Sequence, residues 1–251
     1  MKLLLDFGNS RCKLALLDEE QFSDRGAISY VDDSGQLQLA ATTQQLPLVG
    51  INSIHIVSVL GKKLYAQIAT VLAPYDYHFY TSQLSAHGVK LAYVDATQYG
   101  NDRYAALLAA HQLYAGSKII IDCGTAITFD AIDDTGQHLG GLIIPGYKAM
   151  LNGLSNNTQQ LQQDIKHKEL HLLAKNTKEA LSSGTMLCLQ MGIKGIIDKM
   201  NGEMRASSPM IVVTGGAQEE VLASIDLELI KEPDLILKGL SMLAGLSTNL
   251  G

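Results

Sequence analysis

Short apolar runs alternate along the chain with longer stretches in which apolar residues recur at helical spacing. Residues 3–5, 119–121 and 210–213 are aliphatic runs of the kind that form buried strands. Residues 102–115 and 177–199 carry apolar side chains on one helical face and predict two long helices. Strands that alternate with helices indicate α/β architecture.

Residues at the ends of these stretches support the predicted helices. Gly116 follows the first one and is a natural C-cap. Asn176 and Glu179 have capping-box spacing at the start of the second, with Asn in place of the usual Ser or Thr. Weaker patterns predict two further strands at 26–30 and 139–144, and a last helix at 234–248.

Two segments of the chain resemble each other. Residues 3–18 read LLLDFGNSRCKLALLD and residues 119–134 read IIIDCGTAITFDAIDD. Each has three aliphatic residues, an Asp-x-Gly turn and an alternating apolar run. Similarity between two unrelated buried strands is the alternative, but it does not account for the shared turn. We therefore expect a duplication with two similar α/β domains, residues 1–116 and 117–251.

The paired turns have a chemical interpretation. Backbone N–H groups of a tight glycine turn can bind phosphate oxygens, and an aspartate beside them can hold the metal ion that neutralises the phosphates. A turn aspartate with no further role is the alternative for Asp6 or Asp122 alone. Aspartic proteases also pair two Asp-x-Gly turns, but Phe7 and Cys123 replace their Thr or Ser, and long helices disfavour that architecture.

The segment Tyr99-Gly100-Asn101-Asp102-Arg103 opens the first predicted helix. Asn101 or Asp102 could simply cap the helix, where an acid suits the positive end of the dipole. Arg103 opposes that dipole, and such a local conflict often marks a functional residue. A carboxylate beside a guanidinium suits a substrate that carries a hydroxyl and a carboxylate, because the acid accepts the hydroxyl proton and the arginine binds the carboxylate.

Composition narrows the class of protein. The 251 residues are 47% hydrophobic with a net charge of −6, and no basic run indicates nucleic-acid binding. Three cysteines without a C-x-x-C motif fit a reduced, cytoplasmic protein. Apart from Lys2, residues 1–5 are apolar, but Asp6 follows at once, so we expect neither a signal peptide nor a membrane span. The phosphate-binding motif G-x-x-x-x-G-K-[ST] is absent.

Five motifs lie in order along the chain: Asp-Phe-Gly-Asn-Ser-x-x-Lys (6–13), Gly-Asn-Asp-Arg (100–103), Asp-Cys-Gly-Thr-Ala-x-Thr (122–128), Gly-Gly-x-Ile-x-Pro-Gly (140–146) and Thr-Gly-Gly (214–216). Together they resemble the motifs of type III pantothenate kinases over nearly the whole chain. Ser10 departs from the family's usual Thr but keeps the hydroxyl. The resemblance implies the actin-like, sugar-kinase-like fold of two duplicated, ribonuclease H-like α/β domains with the nucleotide site in the cleft between them.

The resemblance also implies an activity, the ATP-dependent phosphorylation of pantothenate, and roles for residues. Asp102 would be the general base. The implied substrate contacts are Tyr93, Gly100, Asn101, Asp102, Arg103 and Thr177. The implied ATP contacts are Asp6, Phe7, Gly8, Asn9, Ser10, Arg11, Cys12, Lys13 and Thr125. Asp6 would contact the phosphate-bound Mg²⁺, and Asp122 would bind a monovalent cation, K⁺ or NH₄⁺.

The family resemblance further implies a homodimer. Gly184, Gly192 and Gly195 lie inside the second predicted helix, where each glycine costs about 1 kcal/mol, so close helix packing is an expected compensation. Packing within one subunit is the alternative. Two other functions stay open, a kinase of another small hydroxyl compound and a nucleotide-binding regulator without catalysis.

Overall fold

The computed structural model describes residues 1–19, 21–30, 44–156, 170–204 and 208–246. The described strands are β1 (Lys2–Phe7), β2 (Arg11–Asp18), β3 (Gln21–Ser29), β4 (Ser53–Ser58), β5 (Tyr77–Phe79), β6 (Ser85–Ala86), β7 (Val89–Lys90), β8 (Lys118–Cys123), β9 (Ala126–Ile132), β10 (His138–Pro145), β11 (Met210–Thr214) and β12 (Leu229–Lys231). The described helices are α1 (Lys62–Leu72), α2 (Asn101–Leu113), α3 (Tyr147–Asn156), α4 (Thr177–Met204), α5 (Gln218–Leu222) and α6 (Leu235–Leu243), with a short 3₁₀ turn at Ala96–Gln98.

Two five-stranded sheets repeat one topology. The first has the order β3-β2-β1-β4-β5, and the second has the order β10-β9-β8-β11-β12. In each, the first strand in sequence pairs antiparallel with the next strand and parallel with a later one. The similarity seen between two short segments therefore extends to whole sheets, and the predicted duplicated α/β fold is confirmed.

The two copies differ in register at their turns. Asp6 lies opposite Lys13 across the β1–β2 pair, whereas Asp122 lies opposite Thr128 across the β8–β9 pair. The first turn is therefore one residue longer, and the strand that follows is displaced by one position relative to the repeat in the sequence.

The chain divides into two compact units. Unit 1 contains Met1–Ala115, the short segment Asp134–His138 and the residues from Asp234 onward, and unit 2 contains Gly116–Asp133 and Leu139–Pro233. The division into continuous domains at residues 1–116 and 117–251 stays a prediction. In the structure, α6 and the turn that precedes β10 group with unit 1.

Each unit has its own apolar core. In unit 1 it is built by the aliphatic residues of β1 and β4, including Leu3, Leu5, Ile54 and Ile56, all fully buried. In unit 2 the corresponding residues of β8 and β11 pack against α3 and α4. Each such side chain contributes roughly 1.5–3 kcal/mol on burial, so these runs anchor the strands whose ends carry the two Asp-x-Gly turns.

Three helices, α2, α4 and α6, lie at the predicted positions, and α1, α3 and α5 were not predicted. The Oδ1 atom of Asn176 accepts a hydrogen bond from the Glu179 N–H at 3.0 Å, which confirms the cap at the start of α4. The prediction that Gly116 caps α2 is wrong, because the helix ends at Leu113 and Tyr114 already has extended backbone. The last helix is shorter than the predicted 234–248, because it ends at Leu243, and residues from 247 onward lie outside the described residues.

Helix α4 is the one described helix long and apolar enough to cross a membrane by length and composition. Its buried side chains, Met186, Leu189, Ile193 and Ile197, belong to the core of unit 2. A long core helix meets the same criterion of length and composition, so these contacts explain its apolar stripe.

Candidate active site

Backbone hydrogen bonds to strand β4 and within the turn fix the first Asp-x-Gly turn. The Gly8 N–H donates to the Arg11 carbonyl at 3.1 Å and closes the turn, and the Val59 N–H donates to the Phe7 carbonyl at 3.1 Å. Because Phe7 and Cys12 are fully buried on either side, the turn is anchored in the core at both ends. The side chains of Asn9 and Arg11 between them are exposed.

Asp6 lies just before this turn and is only 5% exposed. Its carboxylate is at the end of a buried strand, where water cannot fully solvate it. Burial, with a smaller contribution from Asp6, raises the pKa of the Cys12 thiol well above its usual value. Burial and Asp122 likewise raise the pKa of Cys123 to about 12. Both thiols are therefore protonated at neutral pH, which excludes them as nucleophiles.

Gly8 is not required by the packing of the chain. An added Cβ would have the Arg11 carbonyl oxygen, 3.4 Å away, as its nearest neighbour, which is ordinary contact, and the residue is not in the left-handed region. Among the described residues, nothing would therefore exclude an alanine at this position. Glycine at this position instead leaves the backbone open to a ligand, as phosphate-binding turns require.

The second Asp-x-Gly turn is packed against other glycine backbones of unit 2. The Gly146 N–H donates to the Thr125 carbonyl at 3.0 Å. A Cβ on Gly146 would lie 2.7 Å from the Thr125 carbonyl oxygen, and one on Gly215, which has a φ of +95°, would overlap Asp122 and Cys123. The motifs at 140–146 and 214–216 thus bring the backbone of Gly146 and Gly215 directly against this turn. Thr125 itself is exposed.

Asn101 attaches the start of α2 to the first sheet. Its side-chain amide donates to the Ser58 carbonyl at the end of β4 at 2.9 Å. Its side-chain oxygen accepts the Ser82 N–H at 2.9 Å. The helix therefore begins at a fixed place beside the end of β4, the strand next to β1. The assignment of Asn101 to substrate binding stays a prediction, and these contacts give it a structural role.

Asp102 follows in the first turn of the helix, with Gly100 as the N-cap. The Asp102 Oδ1 atom accepts the Arg103 N–H at 2.7 Å. A Cβ on Gly100 would lie 2.6 Å from that same oxygen, so only glycine leaves room for the carboxylate to fold back in this way. The half-buried carboxylate is a hydrogen-bond acceptor at the positive end of the helix, which stabilises its charge.

Arg103 is 7% exposed and lies among aromatic rings. Its guanidinium carbon is 4.6 Å from the centre of the Tyr99 ring, a cation–π contact. Its Nη1 atom donates to the Tyr93 hydroxyl at 3.5 Å. The structure thus places Tyr93, Gly100, Asp102 and Arg103 together in unit 1, and it also brings in a residue that the sequence did not indicate.

That residue is His138, which is fully buried and belongs to the segment 134–138 of unit 1. Its ring stacks on Tyr93 at 6.1 Å and meets Tyr99 at 5.1 Å between centroids. We call Tyr93, Tyr99, Arg103 and His138 the aromatic cluster. No local pattern in the sequence links His138 to residues 35 or more positions earlier, so sequence reasoning missed it.

Two further predicted residues belong to unit 2, which also contains Thr125. Thr177 is exposed at the first position of α4, next to the capping Asn176. Asp122 is half-buried on β8. Neither assignment is tested by its position alone.

The donors present fit a metal that arrives with a phosphate ligand. Among the described residues, no three His, Cys, Asp or Glu side chains form a group that could hold a metal ion by themselves. Mg²⁺ is usually bound by one or two carboxylates together with substrate phosphates and waters. A single buried carboxylate at Asp6, beside an open glycine turn, suits that arrangement.

Sequence comparisons agree with this geometry. A model of the type III pantothenate kinase family matches residues 2–199. The type III pantothenate kinase of Nitrosococcus oceani is 32% identical over 263 residues, covering 97% of this chain and 94% of that protein. The chain belongs to the type III pantothenate kinase family. A second member, from Dichelobacter nodosus, is 32% identical over 249 residues and covers 96% of both chains.

Solved structures show where the type III pantothenate kinase fold belongs. A Campylobacter jejuni structure described as a Baf family transcriptional activator has a TM-score of 0.62 at 21% identity, covering 97% of both chains. A Sinorhizobium meliloti structure described as a 2-dehydro-3-deoxygalactonokinase has a TM-score of 0.56 at 16% identity, covering 100% of this chain and 99% of that one. These similarities show the actin-like fold of sugar kinases and related ATPases.

Proposed function

We propose that this protein transfers the γ-phosphoryl group of ATP to the hydroxyl of pantothenate, giving 4′-phosphopantothenate and ADP in the first step of coenzyme A biosynthesis. The observation that carries the proposal is the first turn of α2, where the Asp102 carboxylate lies beside the buried Arg103. Family membership supports the choice of pantothenate, which has a hydroxyl at one end and a carboxylate at the other.

Asp102 is the general base in this proposal. The substrate hydroxyl oxygen bonds to the γ-phosphorus, the bond from that phosphorus to the β–γ bridging oxygen breaks, and ADP leaves. The hydroxyl proton goes to the Asp102 carboxylate. Such a base contributes typically about 10²- to 10⁴-fold in rate. The Asp102 side chain folds back beside Gly100, and this conformation keeps the carboxylate oriented before substrate binds.

Arg103 binds the far end of the acceptor. Its guanidinium is always charged and suits a carboxylate by paired hydrogen bonds. The contacts with Tyr99 and Tyr93 orient it, so little side-chain freedom is lost on binding. We assign Tyr93, Gly100, Asn101 and Thr177 to the substrate as well.

The nucleotide is held by Asp6 through Lys13 together with Thr125. Because the side chains of Phe7 and Cys12 are fully buried, we assign them backbone contacts only. The exposed Asn9 and Arg11, with Gly8, offer side-chain and backbone donors to phosphates. Lys13 adds a positive charge opposite Asp6 in the β-ladder.

Kinases of this family use ATP with a divalent metal, which we take to be Mg²⁺ held through the phosphates beside Asp6. The metal neutralises charge that develops on the transferred phosphoryl group. We assign Asp122 to a monovalent cation, K⁺ or NH₄⁺. The half-buried carboxylate and the nearby carbonyl oxygens of a tight turn are hard oxygen ligands of the kind such cations bind.

We further propose a homodimer in the cytoplasm. Gly184, Gly192 and Gly195 lie on an exposed face of α4, and apart from the adjacent backbone of the helix itself, no described atom would be within 4 Å of a Cβ on any of them. Met191 on the same face is 67% exposed. Packing within the described part of the subunit therefore does not compensate these glycines, which favours the dimer alternative.

The first experiment is ADP release from the purified protein with Mg-ATP, with and without pantothenate, in K⁺ and again in Na⁺ buffer. Turnover that requires pantothenate supports the function, and dependence on K⁺ supports the assignment of Asp122. ATP binding without turnover would instead favour a regulator. Turnover with a different hydroxyl compound, and none with pantothenate, would favour another kinase of the same fold.

A further inference from the structure

The aromatic cluster of Tyr93, Tyr99, Arg103 and His138 contains one residue with no part in the proposed reaction. His138 is fully buried, and its ring contacts Tyr93, which is assigned to the acceptor, and Tyr99, which packs on Arg103. The two tyrosines also meet each other edge to face, with 5.0 Å between centroids, so the three rings pack mutually. The role of His138 therefore concerns how those residues are held.

His138 holds Tyr93 in two ways. Its ring stacks on the Tyr93 ring with an angle of 22° between the planes. Its Nδ1 atom accepts a hydrogen bond from the backbone N–H of Ala92, the residue before Tyr93, at 3.4 Å. Phenylalanine could supply the first contact but not the second, so a histidine fixes both the ring and the backbone at this point.

The segment that carries His138 is itself fixed. The Lys90 N–H donates to the Gly136 carbonyl at 2.9 Å, and the Gln137 side chain donates to the Lys90 carbonyl at 3.1 Å. Gly136 has a φ of +86°, and a Cβ there would overlap the Gly88 carbonyl. The position of His138 is thus set by a close backbone contact within unit 1.

Arg103 depends on the two tyrosines that His138 supports. The hydroxyl of Tyr93 accepts from the guanidinium, and the face of Tyr99 lies against it. A shift of Tyr93 would therefore change the direction in which the guanidinium points. Misplacement of a binding group by about 1 Å can lower activity about 100-fold.

We propose that His138 is a positioning residue for the phosphoryl acceptor, which holds Tyr93 and, through Tyr93 and Tyr99, orients Arg103 toward the acceptor's carboxylate. The proposal rests on the proposed function for the identity of the acceptor. It does not give His138 contact with the substrate or a role in proton transfer.

The test compares His138→Ala and His138→Phe with the matched control His55→Ala. His55 is another buried histidine of unit 1, 6% exposed, whose Nδ1 atom is 2.9 Å from the Tyr80 hydroxyl. We expect His138→Ala to raise the KM for pantothenate about 10- to 100-fold, with kcat and the KM for ATP little changed. His138→Phe should recover part of that loss, and His55→Ala should keep the wild-type KM for pantothenate.

Two results would overturn the proposal. One is a wild-type KM for pantothenate in His138→Ala. The other is a similar increase in both KM values, or the same increase in His55→Ala, because either would indicate general loosening of unit 1. If His138→Ala does not fold, His138→Phe and His138→Gln carry the same comparison.

A second measurement separates this proposal from the proposed function. Wild-type protein that does not turn over pantothenate would reject the function. The NMR signals of ¹³C-labelled tyrosine rings report the position of Tyr93 without any substrate. Changed Tyr93 and Tyr99 signals in His138→Phe, with the Tyr80 signal unchanged, support the positioning role, and unchanged Tyr93 signals reject it.

Discussion

The two Asp-x-Gly turns occupy equivalent places in equivalent sheets, yet their surroundings differ. In unit 1, the space that a side chain on Gly8 would fill is free of close contacts with described residues. In unit 2, the backbone at Gly146 and Gly215 packs directly against the second turn. The turn glycines themselves are alike, because an added Cβ would have a carbonyl oxygen of its own turn as nearest described neighbour, at 3.4 Å on Gly8 and at 3.3 Å on Gly124. The two copies thus differ in the glycine backbone that packs on the second turn.

The elements beside the turns differ as well. In unit 1, Asn101 joins the start of α2 to the end of β4, which places Asp102 and Arg103 near that strand end. In unit 2, the corresponding strand β11 leads into the glycine turn at 214–216 and the short helix α5. Duplication supplied two similar sheets, and the different loops that follow them place Asn101, Asp102 and Arg103 in unit 1.

The largest expected effect is that of Asp102→Asn. The amide keeps the shape of the side chain but cannot accept the substrate proton, so kcat should fall by about 10²- to 10⁴-fold. Circular dichroism and ATP affinity serve as controls and should stay at wild-type values. Full activity in this variant would contradict the role of unit 1 as the acceptor side.

Gly100→Ala tests whether the conformation of the Asp102 side chain is needed for activity. The new methyl group would lie 2.6 Å from the Oδ1 atom in its present place, so the carboxylate must move. We expect activity to fall about 100-fold with the fold retained. Gly61→Ala, at an open N-cap position of the same unit, is the matched control and should be fully active.

Gly8→Ala and Gly215→Ala sharpen the contrast between the open and the packed turn. Gly215→Ala places a side chain at a φ of +95° and against Cys123, and should lower the free energy of unfolding by about 1–3 kcal/mol. Gly8→Ala should change that free energy by less than about 0.5 kcal/mol but raise the KM for ATP. Urea unfolding and steady-state kinetics measure both, and equal losses of stability would remove the distinction.

The two units should differ in their response to pH. In unit 1, burial and, to a lesser degree, His78 and Lys2 lower the pKa of His55 on the interior strand β4 to about 4, against the weaker effect of Asp76. In unit 2, the edge strand β12 carries an exposed ion pair, Lys231–Glu219 at 2.9 Å.

Because folded His55 resists protonation, the unfolded chain binds the extra proton between about pH 6.5 and pH 4. The stability contributed by neutral His55 is therefore present above about pH 6.5 and is lost as the pH falls. We expect the free energy of unfolding to drop by about 1–2 kcal/mol from pH 7 to pH 5 through this group. Urea unfolding at both values should show a smaller drop in His55→Phe, and equal drops would contradict the prediction.

The smallest expected effect separates the two aspartates. Asp122→Asn should raise the K⁺ concentration for half-maximal activity about tenfold, the equivalent of about 1.4 kcal/mol. Asp6→Asn should instead raise the Mg-ATP concentration for half-maximal activity and leave the K⁺ concentration for half-maximal activity unchanged. Titrations of each ion with each variant measure this, and exchanged responses would reverse the two assignments.

The sequence by itself determined the strands beside the two Asp-x-Gly turns, the duplication and the turns themselves, whereas the strand at Ser53–Ser58 was not predicted. These features are local, because a run of aliphatic residues must be buried and a glycine turn must follow its strand wherever the strand lies. The motifs at 6–13 and 100–103 also identified the family, and the comparisons confirmed it. The cap of α4 was also predictable, because Asn176 and Glu179 are only three residues apart in the sequence.

Only the tertiary structure decided what surrounds these residues. The burial of Arg103 against Tyr99, the attachment of Asn101 to Ser58 and the place of His138 each join segments far apart in the chain. The end of α2 was not predictable from the local sequence either, because the helix ends at Leu113, before the Gly116 that could have capped it. Such contacts depend on how strands and turns bring distant backbone together, and no local pattern of residues records that geometry.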